Sequence, residues 1–525
     1  MKIQFQAVDR SKPWKGVAVV TALLAAAIAL AWPASQAKQA TQVPSGQAGA
    51  LTGLWTIHNS VGGSKFDQQC KLLVADKKIT GTCNSQGMDI PVTGAVDGNK
   101  VTWQSGSDNS SIIFIYTATL DDSGKVFGTV EVKPYGVTGD FTATAGAASP
   151  QGRGITEDAE HPVLKIGSPA PDFNLIGVDG KMHTLREYSG AKILAIVFES
   201  NHCPVSIAYE SRIHQLYEDY QSKGLTLIAI NPNNAGAIQL GELGYTDTTD
   251  DMKDMKIRAA LRHIAWPYLY DGETQTTASK FGAVATPHIF IFDQDRKLRY
   301  QGHIDDSTAI QKVKSQDARN AIDALLARKP VAVPVTPAFG CSTKWLSKAT
   351  GVKEEMARIN AEPVKLTMAS VDDIKNLRTN AGTGKTIVVD FWSTGCKECM
   401  EQLIDYENTY RMYRYRKFDM ITVSTDNPSD QAKVTDFLQH QHASGTNLQL
   451  DSTDTRALQD AVGAKWKANP PFVMVIGPDG KVVFQKAGKI DILEVRRNVL
   501  ATIPNDGPWF GVQEYWTDVI KAERQ

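Results

Sequence analysis

The chain has 525 residues, too many for one hydrophobic core, and a typical domain size of about 100–200 residues predicts three or four domains. Its 56 basic and 57 acidic side chains leave a formal net charge of −1, with no block of like charges. This balance gives no support to nucleic-acid binding or to binding of acidic lipids. With 42% hydrophobic residues, the composition is that of a globular protein.

Residues 1–37 have the three-part pattern of a secretory signal peptide. Basic residues precede a nearly continuous apolar stretch over 16–32, and the small residues of 33–37 suit cleavage after Ala37. The apolar stretch is short for a membrane span, although an uncleaved N-terminal anchor is the alternative. In either case we expect the rest of the chain outside the cytoplasm, in the periplasm or secreted. Contact with a membrane is expected only if the segment stays uncleaved.

A linker over 38–50 precedes an all-β region over 51–147. Short apolar or alternating runs are separated here by Asp-Gly, Ser-Gly and Tyr-Gly turns, a spacing typical of a small all-β barrel or sandwich domain. Cys70 and Cys83 flank a predicted hairpin, so we expect a structural disulfide between them in an oxidising compartment. A second linker follows over 148–161.

The remainder of the chain contains an internal repeat. Two ordered blocks of matches define it, one at a shift of 193 residues and one at a shift of 184. The matched pairs include Phe198 and Phe391, Cys203 and Cys396, and Pro287 and Pro471. Each copy has a β-α-β-α-β-β order with a cysteine at the start of its first helix, which predicts an α/β fold with a mixed sheet. We assign the copies to 162–327 and 363–503, joined by a connector over 328–362 that carries Cys341 and followed by a tail over 504–525.

The second copy has a specific arrangement around its cysteines. An apolar strand ending in Asp390-Phe391-Trp392 leads to Cys396-Lys397-Glu398-Cys399, and Pro471 follows in order. This arrangement closely resembles thioredoxin and implies a thioredoxin-like fold for both copies. The resemblance implies that Asp390 is the buried proton-transfer carboxylate and Pro471 the cis-proline facing the dithiol, with Pro287 as its counterpart in the first copy. Lys397-Glu398 stands where the family usually has Gly-Pro, which leaves the reduction potential open.

Thiol–disulfide exchange assigns a role to each cysteine of this pair. The N-terminus of a helix lowers the pKa of a thiol, so Cys396 is the expected nucleophile. Cys399, one helical turn further, is expected to resolve the mixed disulfide while Asp390 exchanges a proton with it. A zinc half-site or a structural bridge is the alternative for a Cys-x-x-Cys pair, but no second Cys/His pair at ligand spacing follows it.

The first copy carries a different motif. Its opening segment 166–173 (IGSPAPDF) and its motif 200–204 (SNHCP) resemble the redoxin and peroxiredoxin branch of the superfamily, the AhpC/TSA-like proteins. The motif is equally similar to a secreted redoxin group with Cys-Asn-His-Cys-Pro, in which Ser200 replaces the first cysteine. That group also shares the segment 339–345 (FGCSTKW) of the connector. Two features depart from peroxiredoxins: Ile196 stands where they have proline, and their late arginine is absent.

Cys203 is expected to be a reactive thiol, and its motif contains no second cysteine with which it could form a disulfide. Pro204 suits the first helical position and His202 is adjacent, so a low-pKa thiolate is expected. The resolving position holds Ser206, so Cys341 is by elimination the cysteine that would resolve Cys203, if the proline-rich connector lies back across the first copy. The alternative is that Cys203 is a relic and Cys341 an inert thiol.

Together these features predict an exported thiol–disulfide oxidoreductase that exchanges disulfides with protein substrates, more as a reductant than as an oxidant. No bound cofactor is expected, and an upstream redox partner protein would supply electrons. A rival enzyme class is a thiol peroxidase centred on Cys203 and regenerated by the C-terminal dithiol. A non-enzymatic rival is a scaffold whose all-β domain and first copy bind a client. A copper or zinc site is a further rival, raised by four histidines of the first copy, namely His202, His263, His288 and His303.

Overall fold

The computed structural model describes residues 51–524 apart from nine short gaps, at 62–63, 86–87, 107–111, 122–123, 134–135, 147–153, 159, 464–465 and 505–510. The predicted signal peptide over 1–37 and the linker over 38–50 lie outside the described residues. Of the helices in the described part of the chain, none combines the length and the hydrophobicity needed to cross a bilayer.

The all-β region forms a closed antiparallel sheet, which decides between the barrel and the sandwich. Its strands are β1 (Gly53–Val61), β2 (Ser64–Ala75), β3 (Lys78–Ser85), β4 (Met88–Asp97), β5 (Lys100–Ser105), β6 (Ile113–Leu120), β7 (Val126–Lys133) and β8 (Val137–Ala145). Each pairs with the next along the chain, and β1 pairs with both β2 and β8, which closes the sheet. Alternate residues point inward because successive strand residues face opposite sides, and Trp103 stacks on Tyr116 inside the barrel.

A ninth strand lies within the segment predicted as the second linker, 148–161. This strand, β9 (Gly154–Asp158), pairs with the first residues of β2. The pairing of β2 with β3 begins only at Gln69, so the backbone groups of 64–67 on that side would otherwise lack a strand partner. Because backbone N–H and C=O groups need partners, β9 continues the ladder beyond the end of β3.

The first copy contains, in chain order, β10 (Asn174–Gly177), β11 (Met182–Thr184), β12 (Ile193–Phe198), α1 (Pro204–Tyr220), β13 (Leu225–Asn231), α2 (Met252–Leu261), β14 (Tyr268–Tyr270), α3 (Thr276–Phe281), β15 (Ala285–Thr286), β16 (His288–Phe292), β17 (Leu298–Gly302) and α4 (Asp317–Leu326). The sheet has the order β11-β10-β14-β13-β12-β16-β17. Every residue of β12 is buried, as expected for a central strand that helices cover on both faces.

The second copy repeats this plan with β19 (Leu366–Ala369), α6 (Val371–Thr379), β20 (Thr386–Trp392), α7 (Lys397–Tyr413), β21 (Phe418–Ser424), α8 (Gln431–His440), β22 (Thr446–Leu450), α9 (Thr455–Val462), β23 (Phe472–Ile476), β24 (Val482–Ala487) and α10 (Ile492–Thr502). Its sheet has the order β19-β22-β21-β20-β23-β24. Both copies therefore have the mixed-sheet, thioredoxin-like layout expected from the sequence.

The strand registers of the two copies agree residue by residue. Phe198 of β12 lies opposite Ile230 of β13, and Phe391 of β20 lies opposite Val423 of β21, so both partners keep the shift of 193. The antiparallel partners β16 and β23 keep the shift of 184 in the same way. The internal repeat seen in the sequence is thus a repeat of structure.

The connector and the C-terminal tail both contain regular secondary structure. The connector contains β18 (Cys341–Ser342) and α5 (Ala349–Asn360), and β18 pairs with β15 of the first copy. The tail forms α11 (Val512–Glu523), whose residues Val512, Tyr515, Trp516 and Val519 are buried. Their spacing of three and four residues places them on one face of a helix, and this face joins a hydrophobic cluster that spans both copies.

Candidate active site

The cysteines of the second copy lie at the start of α7. Cys396 is the N-cap residue, and the backbone N–H of Cys399 donates a hydrogen bond to its Sγ at 3.1 Å. The two cysteines are joined by a disulfide. Cys396 is half-buried whereas Cys399 is only 3% exposed, so Cys396 is the cysteine that a partner can reach. Lys397 and Glu398, the residues between them, are exposed.

Asp390 lies on β20, the strand that leads to this dithiol. It shares one face of the strand with Val388 and Trp392, because alternate residues of a strand point the same way. Trp392 packs in one cluster with Cys399, which places this face of β20 against α7. Burial raises the pKa of the Asp390 carboxyl to about 8. A carboxyl with such a pKa is present in both protonation states close to neutral pH, so it can take up or release a proton there.

A carboxylate anchors the turn before the active-site cysteine in each copy. In the second copy the backbone N–H of Thr394 donates to Asp426, at 2.9 Å from Oδ2. In the first copy the backbone N–H of Asn201, at the equivalent position, donates to Oδ1 of Asp250 at 2.8 Å. The cysteine-bearing turns are therefore fixed by similar hydrogen bonds, although Asp426 and Asp250 come from different segments.

A cis peptide bond precedes each of the matched prolines. The bonds are Thr286–Pro287 in the first copy and Pro470–Pro471 in the second. Each proline lies directly before the strand that pairs with the strand leading to the cysteine. This is the position that the resemblance implies for the cis-proline.

Cys203 occupies the N-cap of α1 and is fully buried, unlike Cys396. Its thiol donates a hydrogen bond to the carbonyl oxygen of Thr286 at 3.0 Å, and its Sγ accepts the backbone N–H of Cys341 at 3.4 Å. Burial by itself raises the pKa of the Cys203 thiol, but the hydrogen bond with Cys341 and the charge of His202 lower this pKa to about 6. The neutral Cys203 thiol donates the hydrogen bond to Thr286, and the lowered pKa favours its ionisation to the thiolate.

Cys341 reaches Cys203 because the connector crosses the first copy. Strand β18 is antiparallel to β15, and Cys341 lies directly opposite Thr286. The hydrogen bond with Cys203, and then burial, raise the pKa of the Cys341 thiol well above its ordinary value. Both cysteines are present as free thiols. The structure thus brings together two cysteines that are 138 residues apart in the sequence.

A buried ion pair follows Cys341 in the connector. The ammonium group of Lys344 contacts the carboxylate of Glu242, and the backbone N–H of Lys344 donates to Oδ1 of Asn233 at 2.8 Å. The side-chain amide of Gln275 donates to the Lys344 carbonyl at 2.9 Å. These bonds hold the connector segment against the first copy just beyond the cysteine.

The four histidines considered as metal ligands do not converge on a metal site. His202 contacts Asp250, His288 contacts Gln301 and His303 contacts Asp317, whereas His263 is exposed. Within the ranges that the structure describes, no group of three or more His, Cys, Asp or Glu side chains is arranged to hold a metal ion. The arrangement gives the copper or zinc interpretation no support.

Sequence reasoning missed the residues that support Cys203 from a distance. Asp250, Glu242 and Thr286 are each at least 39 positions away from Cys203 along the chain. No spacing rule links them to the motif, because insertions between strands of this fold vary in length. The one signal was the segment 339–345 of the connector, whose residues contain both Cys341 and Lys344.

Comparisons with known proteins agree with the division of this part of the chain into two copies. One family model, described as the AhpC/TSA family, matches residues 166–301, and a second, described as thioredoxin-like, matches residues 384–482. The chain is similar to a hypothetical protein from Sinorhizobium meliloti 1021, with 31% identity, coverage of 36% of this chain and 98% of that chain, and a TM-score of 0.32. It is also similar to an uncharacterized conserved protein from Geobacillus kaustophilus, with 35% identity, coverage of 36% and 95%, and a TM-score of 0.32.

A further similar structure is that of a protein from Chlorobium tepidum given the name thiol:disulfide interchange protein DsbE. Its identity is 21%, the match covers 31% of this chain and 99% of that chain, and the TM-score is 0.25. No curated protein matches the chain.

Proposed function

Since the chain belongs to the thioredoxin-like superfamily, with an AhpC/TSA-type redoxin domain followed by a thioredoxin domain, we propose that it is an exported thiol–disulfide oxidoreductase. It exchanges disulfides with protein substrates through Cys396 and Cys399 and acts mainly as a reductant. The observation that carries this proposal is the dithiol at the N-terminus of α7, packed over the face of β20 that bears Asp390. No cofactor enters the reaction.

The reductive cycle uses three side chains. The Cys396 thiolate attacks a substrate disulfide, and one substrate sulfur leaves as a thiolate. Cys399 then passes its proton towards Asp390 and attacks the mixed disulfide, which releases the second substrate sulfur. The substrate gains two electrons and the enzyme is left with the Cys396–Cys399 disulfide. An upstream dithiol protein would return it to the reduced form.

Reduction of insulin by the full-length chain, supplied with a chemical reductant, tests the proposal. The chain should carry Cys203→Ser and Cys341→Ser, so that only the C-terminal dithiol acts. Adding Cys396→Ser should abolish turnover, and adding Cys399→Ser instead should accumulate mixed disulfides. Full activity in the Cys396→Ser chain would refute the assignment. Binding of a client that survives the loss of both dithiol cysteines would favour the scaffold interpretation.

The full chain is the appropriate sample because α11 lies outside 363–503 yet contributes to the shared core. Trp516 of α11 is fully buried and donates to the carbonyl of Tyr245 in the first copy at 2.9 Å. A fragment that ends at residue 503 would lose this helix and expose apolar surface.

A second candidate activity is thiol-dependent reduction of hydroperoxides at Cys203. The low pKa of Cys203 and the adjacent Cys341 favour it. The Cys203 thiolate would attack the peroxide, release water or an alcohol and become a sulfenic acid. Cys341 would then condense with it to a disulfide with loss of water, and the Cys396/Cys399 dithiol would reduce that disulfide. Peroxide consumption that disappears with Cys203→Ser would establish this activity, and unchanged consumption would exclude it.

Export is the part of the proposal that depends on residues outside the described range. It is supported by the signal-like pattern of 1–37 and by the disulfide between Cys70 and Cys83, since such bonds persist in oxidising compartments. N-terminal sequencing of the protein from a periplasmic fraction would test it. A mature chain that begins at residue 38 is the expected result, and a chain found only in the cytoplasm would contradict it.

A further inference from the structure

The segment that follows β13 in the first copy has no counterpart of equal length in the second copy. Residues 232–251 join β13 to α2, whereas residues 425–430 are enough to join β21 to α8. We call residues 240–251 the bridge segment. It contacts the second copy and α11 through some of its residues, and the turn before Cys203 through others.

Four consecutive backbone carbonyls of the bridge segment accept hydrogen bonds from outside the first copy. The carbonyls of residues 244–247 accept, in this order, from Nη1 of Arg416 at 3.0 Å, Nε1 of Trp516 at 2.9 Å, the hydroxyl of Tyr413 at 2.8 Å and Nη1 of Arg496 at 3.1 Å. Each donor belongs to the second copy or to α11. Because buried carbonyls need hydrogen-bond partners, the backbone here is fixed by the second copy and the tail.

The side chain of Asp247 adds a charged contact between the copies. Its buried carboxylate accepts Nε of Arg497 on α10 at Oδ2, at 2.7 Å, and Nη2 of Arg258 on α2 at Oδ1, at 3.1 Å. Two further carboxylates complete the cluster, since Glu523 contacts Arg497 and Glu210 contacts Arg258. A buried carboxylate that loses one of two cations is left poorly compensated, so Arg497 has a strong hold on this part of the bridge segment.

The end of the bridge segment holds the turn before Cys203. Oδ1 of Asp250 accepts the backbone N–H groups of Asn201 and His202 at 2.8 and 3.0 Å, and Oδ2 lies 2.6 Å from Nδ1 of His202. The carbonyl of Thr249 accepts the side-chain amide of Asn201 at 2.9 Å. The backbone and the imidazole next to the reactive thiol are therefore both placed by this segment.

Asp247 and Asp250 are only three positions apart, a span of at most about 10 Å, so a displacement of the first is passed on to the second. The second copy needs no such support, because Asp426 comes two residues after the end of β21. We propose that the second copy holds the Cys203 site in its reactive arrangement through the bridge segment, with Arg497 and Asp247 as positioning residues. The inference rests on the proposed activity of Cys203.

The expected consequence is a change in the charges around the thiol. Burial raises the pKa of Cys203, but the hydrogen bond with the connector cysteine and the charge of His202 lower it to about 6. Asp250 supports the charged form of the imidazole. Glu242, also in the bridge segment, pairs with Lys344, whose charge acts on both thiols. A displaced bridge segment therefore weakens the stabilisation of the thiolate.

Titration of the Cys203 thiolate tests the proposal without any substrate. The sample is the full-length chain with both dithiol cysteines replaced by serine, and thiolate absorbance is followed from about pH 4 to about pH 8. Arg497→Met removes the cation from Asp247 and should raise the pKa of Cys203. A rise of about one unit would lower the thiolate fraction at pH 6 roughly fivefold.

A milder variant and a control accompany this measurement. Tyr413→Phe removes only the hydroxyl that donates to the carbonyl of Thr246, and it should raise the pKa in the same direction by a smaller amount. It decides the question if Arg497→Met does not fold. Arg497→Lys should lie closer to wild type, because it keeps the cation. Arg524→Met is the control, since Arg524 bonds only Val483 and Asn498 of the second copy. Unchanged titrations in the folded Arg497 and Tyr413 variants would overturn the proposal.

A double substitution tests the route of the effect. If Arg497 acts through Asp250, Arg497→Met should cause no further rise in a chain that already carries Asp250→Asn, because coupled positions are not additive. Two rises that simply add would overturn the proposed route. Peroxide consumption with a chemical reductant is measured in parallel. A wild-type chain that consumes no peroxide would refute the candidate activity of Cys203, while the titrations would still decide whether the second copy positions the site.

Discussion

His202 and Asp250 meet in the interior of the first copy, with Nδ1 of the imidazole 2.6 Å from Oδ2 of the carboxylate. Both side chains are buried. The same carboxylate accepts the backbone N–H of His202 at 3.0 Å, so it fixes the turn that enters α1. Although burial lowers the pKa of His202, the charge of Asp250 raises it above its ordinary value. Asp250 thereby favours the positively charged form of the imidazole that precedes Cys203.

Asp250→Asn should therefore raise the pKa of the Cys203 thiol from about 6 towards its ordinary value of about 8.5. Without the carboxylate, burial favours the neutral form of the imidazole, and the charge that stabilises the thiolate is weakened. Thiolate absorbance as a function of pH, in a chain with Cys396→Ser and Cys399→Ser, measures the change. Asp372→Asn, an exposed carboxylate on α6, is the control and should leave the titration as it is. An unshifted titration in Asp250→Asn would contradict the role of the pair.

Asp390→Asn should stabilise the fold at neutral pH. The folded-state pKa of about 8 lies above the ordinary value of 3.8, so the folded chain binds more protons than the unfolded chain between these values. Stability therefore falls as the pH rises from about 4 to about 8, and the substitution removes this loss. We expect a gain on the order of 5 kcal/mol in the free energy of unfolding at pH 7.5.

The gain in stability should be accompanied by slower thiol–disulfide exchange, because Asn accepts no proton from Cys399. Urea unfolding at pH 4 and pH 7.5 measures the first effect, and insulin reduction measures the second. Asp419→Asn, a partly exposed carboxylate beside Lys385, should change stability by less than about 0.5 kcal/mol at either pH. Equal stabilities of wild type and Asp390→Asn at pH 7.5 would show that Asp390 is not a protonated buried acid.

Replacement of both Cys70 and Cys83 by serine should lower stability but leave disulfide exchange intact. The disulfide joins β2 to β3 and spans a sequence separation of 13 residues. Closing a loop of this size contributes about 3 kcal/mol in the chain-entropy model. Thermal unfolding of the barrel should shift accordingly while insulin reduction is unchanged. Peptide mapping that finds either cysteine free in the native protein would refute the structural role.

Trp516→Ala should destabilise the two thioredoxin-like domains together. The indole of Trp516 is fully buried in the cluster that contains residues of both copies. Truncating a buried tryptophan to alanine costs about 3–5 kcal/mol through lost transfer energy and cavity formation. Lys521→Ala on the exposed face of the same helix is the control. A loss confined to one domain, seen by hydrogen exchange, would show that α11 serves only that domain.

Much of the fold followed from the order of residues alone. Buried strands such as Ile193–Phe198 and Thr386–Trp392 are wholly or mostly apolar runs, so their composition and length identify them. The two shifts of the repeat reappear in the strand registers, because equal sequence spacing within a common fold produces equal pairing. The Cys396/Cys399 site was visible for the same reason: a helix N-terminus, a dithiol one turn long and a strand carboxylate lie within ten residues.

The first site depended on contacts that no local pattern encodes. A low-pKa thiol at Cys203 was predicted from Pro204 and His202, but its pKa also depends on Cys341 and, through His202, on Asp250, which come from other parts of the chain. The sequence also does not indicate what the segment after 504 packs against, because an amphipathic helix pattern does not identify the core that the helix covers. Burial, long-range hydrogen bonds and the pKa values they set are properties of packing. Only the tertiary structure decides them, because folding brings residues far apart in the chain into the same low-dielectric interior.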